Sequence, residues 1–336
     1  MHIPSSLLVV SALSSMTNAF DLKAYSNNAI TAFERAVPAF AKRSGGTTCP
    51  TVWNSIAGDL TKMFLDPTNG QCNDDARAAI RAAFHDCGSW DKSQGSTGGC
   101  DGSLILSKRA DGTPDELNRP ENKGLADIAG KLLAVQQKWN TGGNKVSVAD
   151  VIQFAGSVAI VTCPGGPRVQ TYVGRIDSPK GAPDGRLPDV RASGASLFQL
   201  FQDKGFSAVD LAALLGAHST SKQFFVDQAT SGQSQDSTPG LWDVKYYGET
   251  LNPPAGVFVF PSDTNLAKDP SVGPEFKGFV NNAGKWNGKF ADAMLRLSLL
   301  GVPGGTNNLI DCTNSVPKGT QNKRDIRAAP INDRVR

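Results

Sequence analysis

Apolar residues recur every three to four positions over most of this chain, the period of amphipathic helices. Residues 50–65 (PTVWNSIAGDLTKMFL) follow that period and stop before Asp66-Pro67, because a residue preceding proline is pushed out of the α region. Residues 74–87 form an Ala-rich run with no Gly or Pro before Gly88. Residues 122–139 are amphipathic and stop at Thr141-Gly142-Gly143, and 147–162 open with Ser147-x-x-Asp150, a capping-box-like start, before turning apolar enough to be buried. Further helices are predicted over 195–203, 207–218 (opened by Ser207-x-x-Asp210), 271–282 and 285–300. The Pro/Gly-rich stretch 164–194 holds one strand candidate near Thr171–Val173, residues 226–254 lack a helical period, and VFVF at 257–260 reads as a short strand. The pattern is that of a mostly α protein with few short strands and long, structured loops.

The two ends break this pattern. Residues 1–19 have an apolar core at Leu7–Leu13 followed by small residues, the form of a secretory signal peptide. Residues 20–43 end in Lys42-Arg43, a dibasic pair suited to propeptide processing. The tail 313–336 has little that could pack and is expected to be disordered. This leaves 44–312 as the folded domain. No later apolar run reaches membrane-spanning length, so a soluble, secreted, extracellular protein without membrane attachment is expected.

Charge adds one exclusion. The whole chain carries a net +3, but 44–312 holds 24 basic and 27 acidic residues. A domain of that balance has no nucleic-acid-binding face. Six cysteines in a secreted chain imply three disulfides, with 15 possible pairings. A Cys49–Cys312 bond would clamp the ends of the domain and Cys87–Cys100 would close a polar loop, leaving Cys72 and Cys163.

The chemistry concentrates in RAAIRAAFHDCGSWDKSQGSTGGCDGS (77–103). Arg81 and His85 lie one helical turn apart on one face. Such a pair is commonplace on its own. However, the chain has three histidines, and His2 falls in the signal segment, so His85 and His218 are the only two of the expected mature domain. Asp86 follows His85 directly, with Asp101 and Ser103 a loop later. Ser219 follows His218, with Asp236, Thr238, the Leu241 carbonyl and Asp243 in DSTPGLWD 18 residues on. Oxygen donors of this kind suit hard cations such as calcium. Two constellations, each abutting one of two histidines, form a repeated design.

At these residues the chain resembles the secreted haem peroxidases of the plant/fungal superfamily, closest to the class II fungal enzymes of ascomycete type, over roughly residues 50–312. Arg81-x-x-Phe84-His85-Asp86 is similar to the distal motif, and Gly99-x-Asp101-x-Ser103 to the distal calcium loop. Glu116 and Asn122 are similar to the distal hydrogen-bond pair. Ala217-His218-Ser219 resembles the proximal motif, DSTPGLWD the proximal calcium loop, and Asp263 the acid that orients the proximal histidine. The resemblance implies a two-part helical fold with one haem b between distal and proximal halves, two calcium ions and a monomer. It implies His218 as axial ligand to the haem iron with Asp263 behind it. His85 would be the acid–base group and Arg81 the stabiliser of developing charge. Asn122 would hold the His85 tautomer with Glu116 behind it, and Phe84 would pack over the haem. Calcium would take Asp86, Gly99, Asp101 and Ser103 on the distal side, and Ser219, Asp236, Thr238, Leu241 and Asp243 on the proximal side.

The implied activity is reduction of hydrogen peroxide with one-electron oxidation of small phenolic or aromatic reductants at the haem edge. Manganese peroxidases carry acids seven and three residues before the distal Arg and six after the proximal His, where this chain has Asp74, Ala78 and Phe224. Lignin and versatile peroxidases carry a Trp five residues before the proximal His, where this chain has Ala213. Neither a complete manganese site nor that surface Trp is expected. The rival reading is a secreted, calcium-stabilised, non-enzymatic relative of the same fold.

Overall fold

The computed structural model describes residues 48–319, so the expected signal peptide, the propeptide to Arg43 and the tail beyond residue 319 lie outside the described residues. Eleven α-helices are present among them: α1 Val52–Phe64, α2 Asp74–Cys87, α3 Ser103–Leu106, α4 Ala126–Trp139, α5 Val148–Thr162 and α6 Gly194–Lys204. They continue as α7 Ala208–Leu215, α8 Lys245–Leu251, α9 Pro261–Lys268, α10 Val272–Lys277 and α11 Ala283–Leu297. Strand content among the described residues is limited to two antiparallel pairs. β1 Leu65–Asp66 pairs with β2 Gln71–Cys72, and β3 Tyr172–Val173 with β4 Ile310–Asp311. No helix among the described residues is long and apolar enough to cross a membrane.

Helix α5 is the axis of the packing, with all fifteen of its residues buried. It is held against α2, α1 and α4. The α2 contact is close because α2 turns Ala76, Ala79, Ala82 and Ala83 inward. A Cβ on Gly156 of α5 would stand 2.7 Å from the Ala83 Cβ, so two helices of small residues meet nearly backbone to backbone. Helix α2 starts cleanly: the Asn73 side chain accepts from Ala76 N, and Asp74 and Asp75 place negative charge in the first turn. The same core extends to an aromatic group, Trp242, Tyr246, Tyr247, Phe276, Trp286 and Phe290, around α8, α10 and α11. Its rings are stacked or edge-on, as with Trp242 and Trp286 at 5.0 Å.

The three disulfides pair Cys49 with Cys312, Cys72 with Cys163 and Cys87 with Cys100. The first closes a separation of 263 residues, the kind of long loop whose closure most reduces unfolded-chain entropy.

Four local expectations are corrected. Helix α8 lies within 226–254, the stretch read as lacking a helical period, and α9 precedes the helix expected from 271; α9 begins at Pro261, whose fixed φ and missing N–H suit a first-turn position. The VFVF segment is not a strand, and only Val257 makes a bridge, to Ser234. Ser147 caps α5, but the Asp150 carboxylate does not return to it. Asp150 instead accepts from Gly174 N and Arg175 N and pairs with Arg175 Nη1 at 2.9 Å, both side chains buried. The true capping box is Ser207/Asp210 at the start of α7. Lastly, the tail does not loosen at 313. Thr313–Ser315 form a 3-10 turn, Val316 is 1% exposed, and its carbonyl accepts from Arg168 Nη2 at 2.7 Å.

Candidate active site

Arg81, Phe84 and His85 lie on α2 at the spacing that brings one side chain above the next. Arg81 Nε donates to His85 Nε2 at 3.2 Å. The guanidinium is fixed at its other end, with Nη1 donating to Lys123 O (2.9 Å) and Nη2 to Glu121 O (2.7 Å). His85 Nδ1 lies 2.6 Å from Asn122 Oδ1, and Asn122 Nδ2 donates to the Glu116 carbonyl at 2.8 Å. The amide is therefore oriented with its oxygen toward the ring. His85 must carry its proton on Nδ1 and present a lone pair at Nε2.

Burial, then Arg81, lowers the His85 pKa to about 3, against the opposing Asn122 bond. The imidazole is thus neutral across the physiological range. Arg81 is itself lowered by burial to about 10 and stays cationic. His85 is only partly buried by surface exposure. Phe84 meets it edge-on at 5.6 Å and stacks on Phe201.

His218 sits differently. Helix α7 tightens after Leu215 into a 3-10 turn, Gly216–Thr220, that carries the ring. Gly216 permits this turn to lie on the core, since a Cβ there would stand 2.3 Å from Trp286 Nε1. His218 Nδ1 is 2.8 Å from Asp263 Oδ2, and Asp263 is buried in the first turn of α9. Gln235 Nε2 makes a longer contact to the same oxygen at 3.3 Å. Tyr246 and Phe260 flank the imidazole edge-on, both at 5.7 Å. The His218 side chain is 32% exposed while Asp263 is 1% exposed, so Nε2 is left free at the end of a buried carboxylate–imidazole pair. That donor set fits an axial haem ligand.

Beside each histidine lies one of the two oxygen-rich constellations. On the distal side Asp86, wholly buried, accepts from Gly102 N (3.2 Å) and Leu104 N (3.3 Å), and Asp101 Oδ1 accepts from Ser103 N (3.0 Å). Ser103 Oγ lies beside the Asp101 and Glu116 carboxylates without a well-formed hydrogen bond to either. Gly99 must be glycine, because a Cβ would meet Leu300 O at 2.4 Å. On the proximal side Asp236 Oδ1 accepts from Thr238 N (2.8 Å), Thr238 Oγ1 donates to Asp243 Oδ2 (2.8 Å), and Leu241 N donates to Thr238 O.

Three of the eight unpartnered buried polar atoms among the described residues, Ser103 Oγ, Ser219 Oγ and Asp236 Oδ2, belong to these two constellations. Burial, then Asp101 and Glu116, raises Asp86 well above the carboxylate range. Burial, then Asp243 and Glu249, raises Asp236 to about 8 despite the Thr238 bond. Buried acids crowded in this way gain from a cation. No cluster of three His, Cys, Asp or Glu metal ligands occurs among the described residues; a cation at either constellation would need hydroxyl and carbonyl oxygens to complete its ligands.

Glu116 is placed in a way its side chain does not suggest. It supports Asn122 through its main-chain carbonyl, while its carboxylate accepts from Ala182 N at 2.9 Å. The sequence reading missed the backbone clamps on Arg81 from Glu121 and Lys123. It also missed the approach of Phe225 to Gly124, where a Cβ would stand 2.7 Å from the ring. Main-chain contacts leave no trace in residue identity; the Phe224-Phe225 dipeptide was the one visible signal.

The peroxidase family model matches residues 58–282. Manganese peroxidase H4 of Phanerodontia chrysosporium is 31% identical over 289 residues, covering 78% of this chain and 72% of that protein. A low-redox potential peroxidase of Taiwanofungus camphoratus is 31% identical over 282 residues (79% and 77%). A peroxidase of Arthromyces ramosus is 30% identical over 319 residues (85% and 83%).

Proposed function

The chain belongs to the peroxidase family, among the fungal class II haem peroxidases that use hydrogen peroxide as oxidant, and we propose that it is an extracellular enzyme oxidising small phenolic and aromatic donors. The observation that carries the assignment of roles is the contrast in Nδ1 partners, a neutral amide oxygen at His85 and a carboxylate at His218. When bound, the haem supplies an iron that takes peroxide and accepts its oxidising equivalents, and His218 Nε2 with Asp263 behind it would hold that iron. His85 Nε2 removes a proton from one peroxide oxygen and returns it to the other, so that water leaves. The Arg81 guanidinium, pinned by two carbonyls, stabilises negative charge on the separating oxygen. Asn122 keeps the accepting lone pair at Nε2. Phe84 limits what reaches the site.

Two observations support a donor other than manganese. Asp74, the one acid at the three manganese positions, is engaged by Arg77 at 2.7 Å and Lys222 at 3.1 Å. Burial would raise its pKa, yet Arg77 and then Lys222 hold it below the usual value. Ala78 offers no ligand atom, and Phe224 is an exposed aromatic. Ala213, at the position of the surface Trp, is buried with its carbonyl accepting from Trp286 Nε1 at 3.0 Å. The unpartnered Ser103, Ser219 and Asp236 atoms support one calcium ion beside each histidine, and we assign the enzyme as a monomer. A donor panel tests the reading. Phenols should be oxidised on adding hydrogen peroxide with no dependence on Mn²⁺; turnover that requires Mn²⁺ would overturn it.

A further inference from the structure

Three more of the eight unpartnered buried polar atoms among the described residues gather behind His218: Gln235 Oε1, Tyr246 Oη and Thr250 Oγ1. Asp263 is the centre of this group. Its Oδ2 accepts from His218 Nδ1 at 2.8 Å and from Gln235 Nε2 at 3.3 Å, and its Oδ1 accepts from Ser262 Oγ at 3.2 Å. Tyr246 Oη lies beside the Asp263 carboxylate and the Thr250 hydroxyl without a well-formed hydrogen bond to either. Tyr246 and Thr250 are one turn apart on α8, so their side chains share a face. Gln235, Tyr246, Thr250 and Asp263 are all buried.

The Tyr246 ring stands edge-on to His218 at 5.7 Å. Burial, then Asp263, raises its phenol well above the ordinary range, so the hydroxyl keeps its proton and acts toward a carboxylate as a donor. Of the two groups beside it, the carboxylate is the stronger acceptor. Thr250 can then donate to Tyr246 Oη in turn, a chain from Thr250 through Tyr246 to Asp263 that gives both hydroxyls a partner. Each donor placed on Asp263 stabilises its negative charge. A carboxylate so loaded takes a smaller share of the His218 Nδ1 proton, and Nε2 becomes a weaker electron donor. Neighbouring Tyr247 is equally buried, but its hydroxyl donates to the Ala212 carbonyl of α7 at 2.9 Å. Of two adjacent phenols, one is held by a helix and the other faces the acid behind His218.

Resting on the reading of His218 as the axial ligand, we infer that Tyr246 and Gln235 are positioning residues that set how strongly His218 donates to the haem iron. The Tyr246 hydroxyl and the Gln235 amide draw charge from the Asp263 carboxylate, and the imidazole keeps its Nδ1 proton. The ferrous state is thereby favoured relative to an enzyme that lacks these two donors.

Resonance Raman spectra of the ferrous, haem-loaded enzyme and a redox titration of the same samples test this. Tyr246→Phe keeps the ring and removes only the hydroxyl. It should raise the frequency of the iron–imidazole stretch and shift the ferric–ferrous equilibrium about twofold to tenfold toward the ferric form, the scale of one hydrogen bond. Gln235→Leu should move both in the same direction by a smaller factor, since its contact is longer. Tyr247→Phe, which removes an equally buried hydroxyl bound elsewhere, should move neither. Wild-type values of stretch and equilibrium in either Tyr246→Phe or Gln235→Leu, or an equal displacement by Tyr247→Phe, would overturn the inference. Failure of the axial assignment, and of the activity that rests on it, would show separately as a wild type without an iron–imidazole stretch.

Discussion

The molecule holds two imidazoles in different settings, and the difference lies in what stands behind each ring. His85 rides on a long, regular helix, and its Nδ1 meets the oxygen of a neutral amide that is itself oriented by a backbone carbonyl. His218 rides on a 3-10 turn at the end of an eight-residue helix, and its Nδ1 meets a buried carboxylate. An amide fixes the tautomer without adding charge, and with Arg81 alongside, the ring stays a free neutral base. A carboxylate shares the Nδ1 proton and raises electron density at Nε2, which is what a metal ligand needs. On the proposed reading, one side-chain type serves as acid–base group or ligand according to its second neighbour.

Substitutions that remove one member of the comparison should have the largest effects. His85→Leu is expected to lower the rate constant for reaction with hydrogen peroxide by about 10²–10⁴-fold, the range for loss of general acid–base catalysis, while haem content is retained; stopped-flow kinetics measures it. Asp263→Asn makes the proximal pair resemble the distal one. It is expected to cost about 10–100-fold in activity, as loss of a residue behind a ligand does. A weakened iron–imidazole stretch in the Raman spectrum should accompany it, and an unchanged stretch would remove the proximal half of the comparison. Chelation of calcium should act more gently on both sides. On the proposed reading, removing a cation from beside Ser103, Ser219 and Asp236 would release the helix end beside His85 and let its ring approach the haem iron. The expected signs are a low-spin absorption spectrum and reduced activity, both reversed by added Ca²⁺.

The distal half was legible in the sequence for definite reasons. An Asn cap, two acids and an Ala-rich run leave no alternative to a helix over 74–87, and helical spacing then aligns Arg81 with His85. His218 and Asp263 are 45 residues apart; their pairing was readable through family resemblance and not through local pattern. Helix α8, KYYGETL, escaped notice because seven residues give too few turns for a period to emerge. Asp150 was read as half of a local cap, but a buried arginine 25 residues away engages its carboxylate. Tertiary partners decide such cases, and spacing does not encode them. The same holds for Glu116, whose contribution to Asn122 comes from a carbonyl that every residue possesses.

The pH profile of the reaction with hydrogen peroxide, measured for the wild type and for Asn122→Asp, tests the central contrast most directly. Because the folded His85 pKa lies near 3, below the ordinary 6.5, the base remains available as pH falls, and folding stability declines between those values as the unfolded chain alone takes up the proton. The wild-type rate constant should therefore be flat from pH 7 to about 4. In Asn122→Asp a carboxylate behind the ring raises that pKa, and the rate should fall as pH drops through it while remaining near normal at high pH. A wild-type break near pH 6.5, or a profile that Asn122→Asp leaves unmoved, would contradict the account.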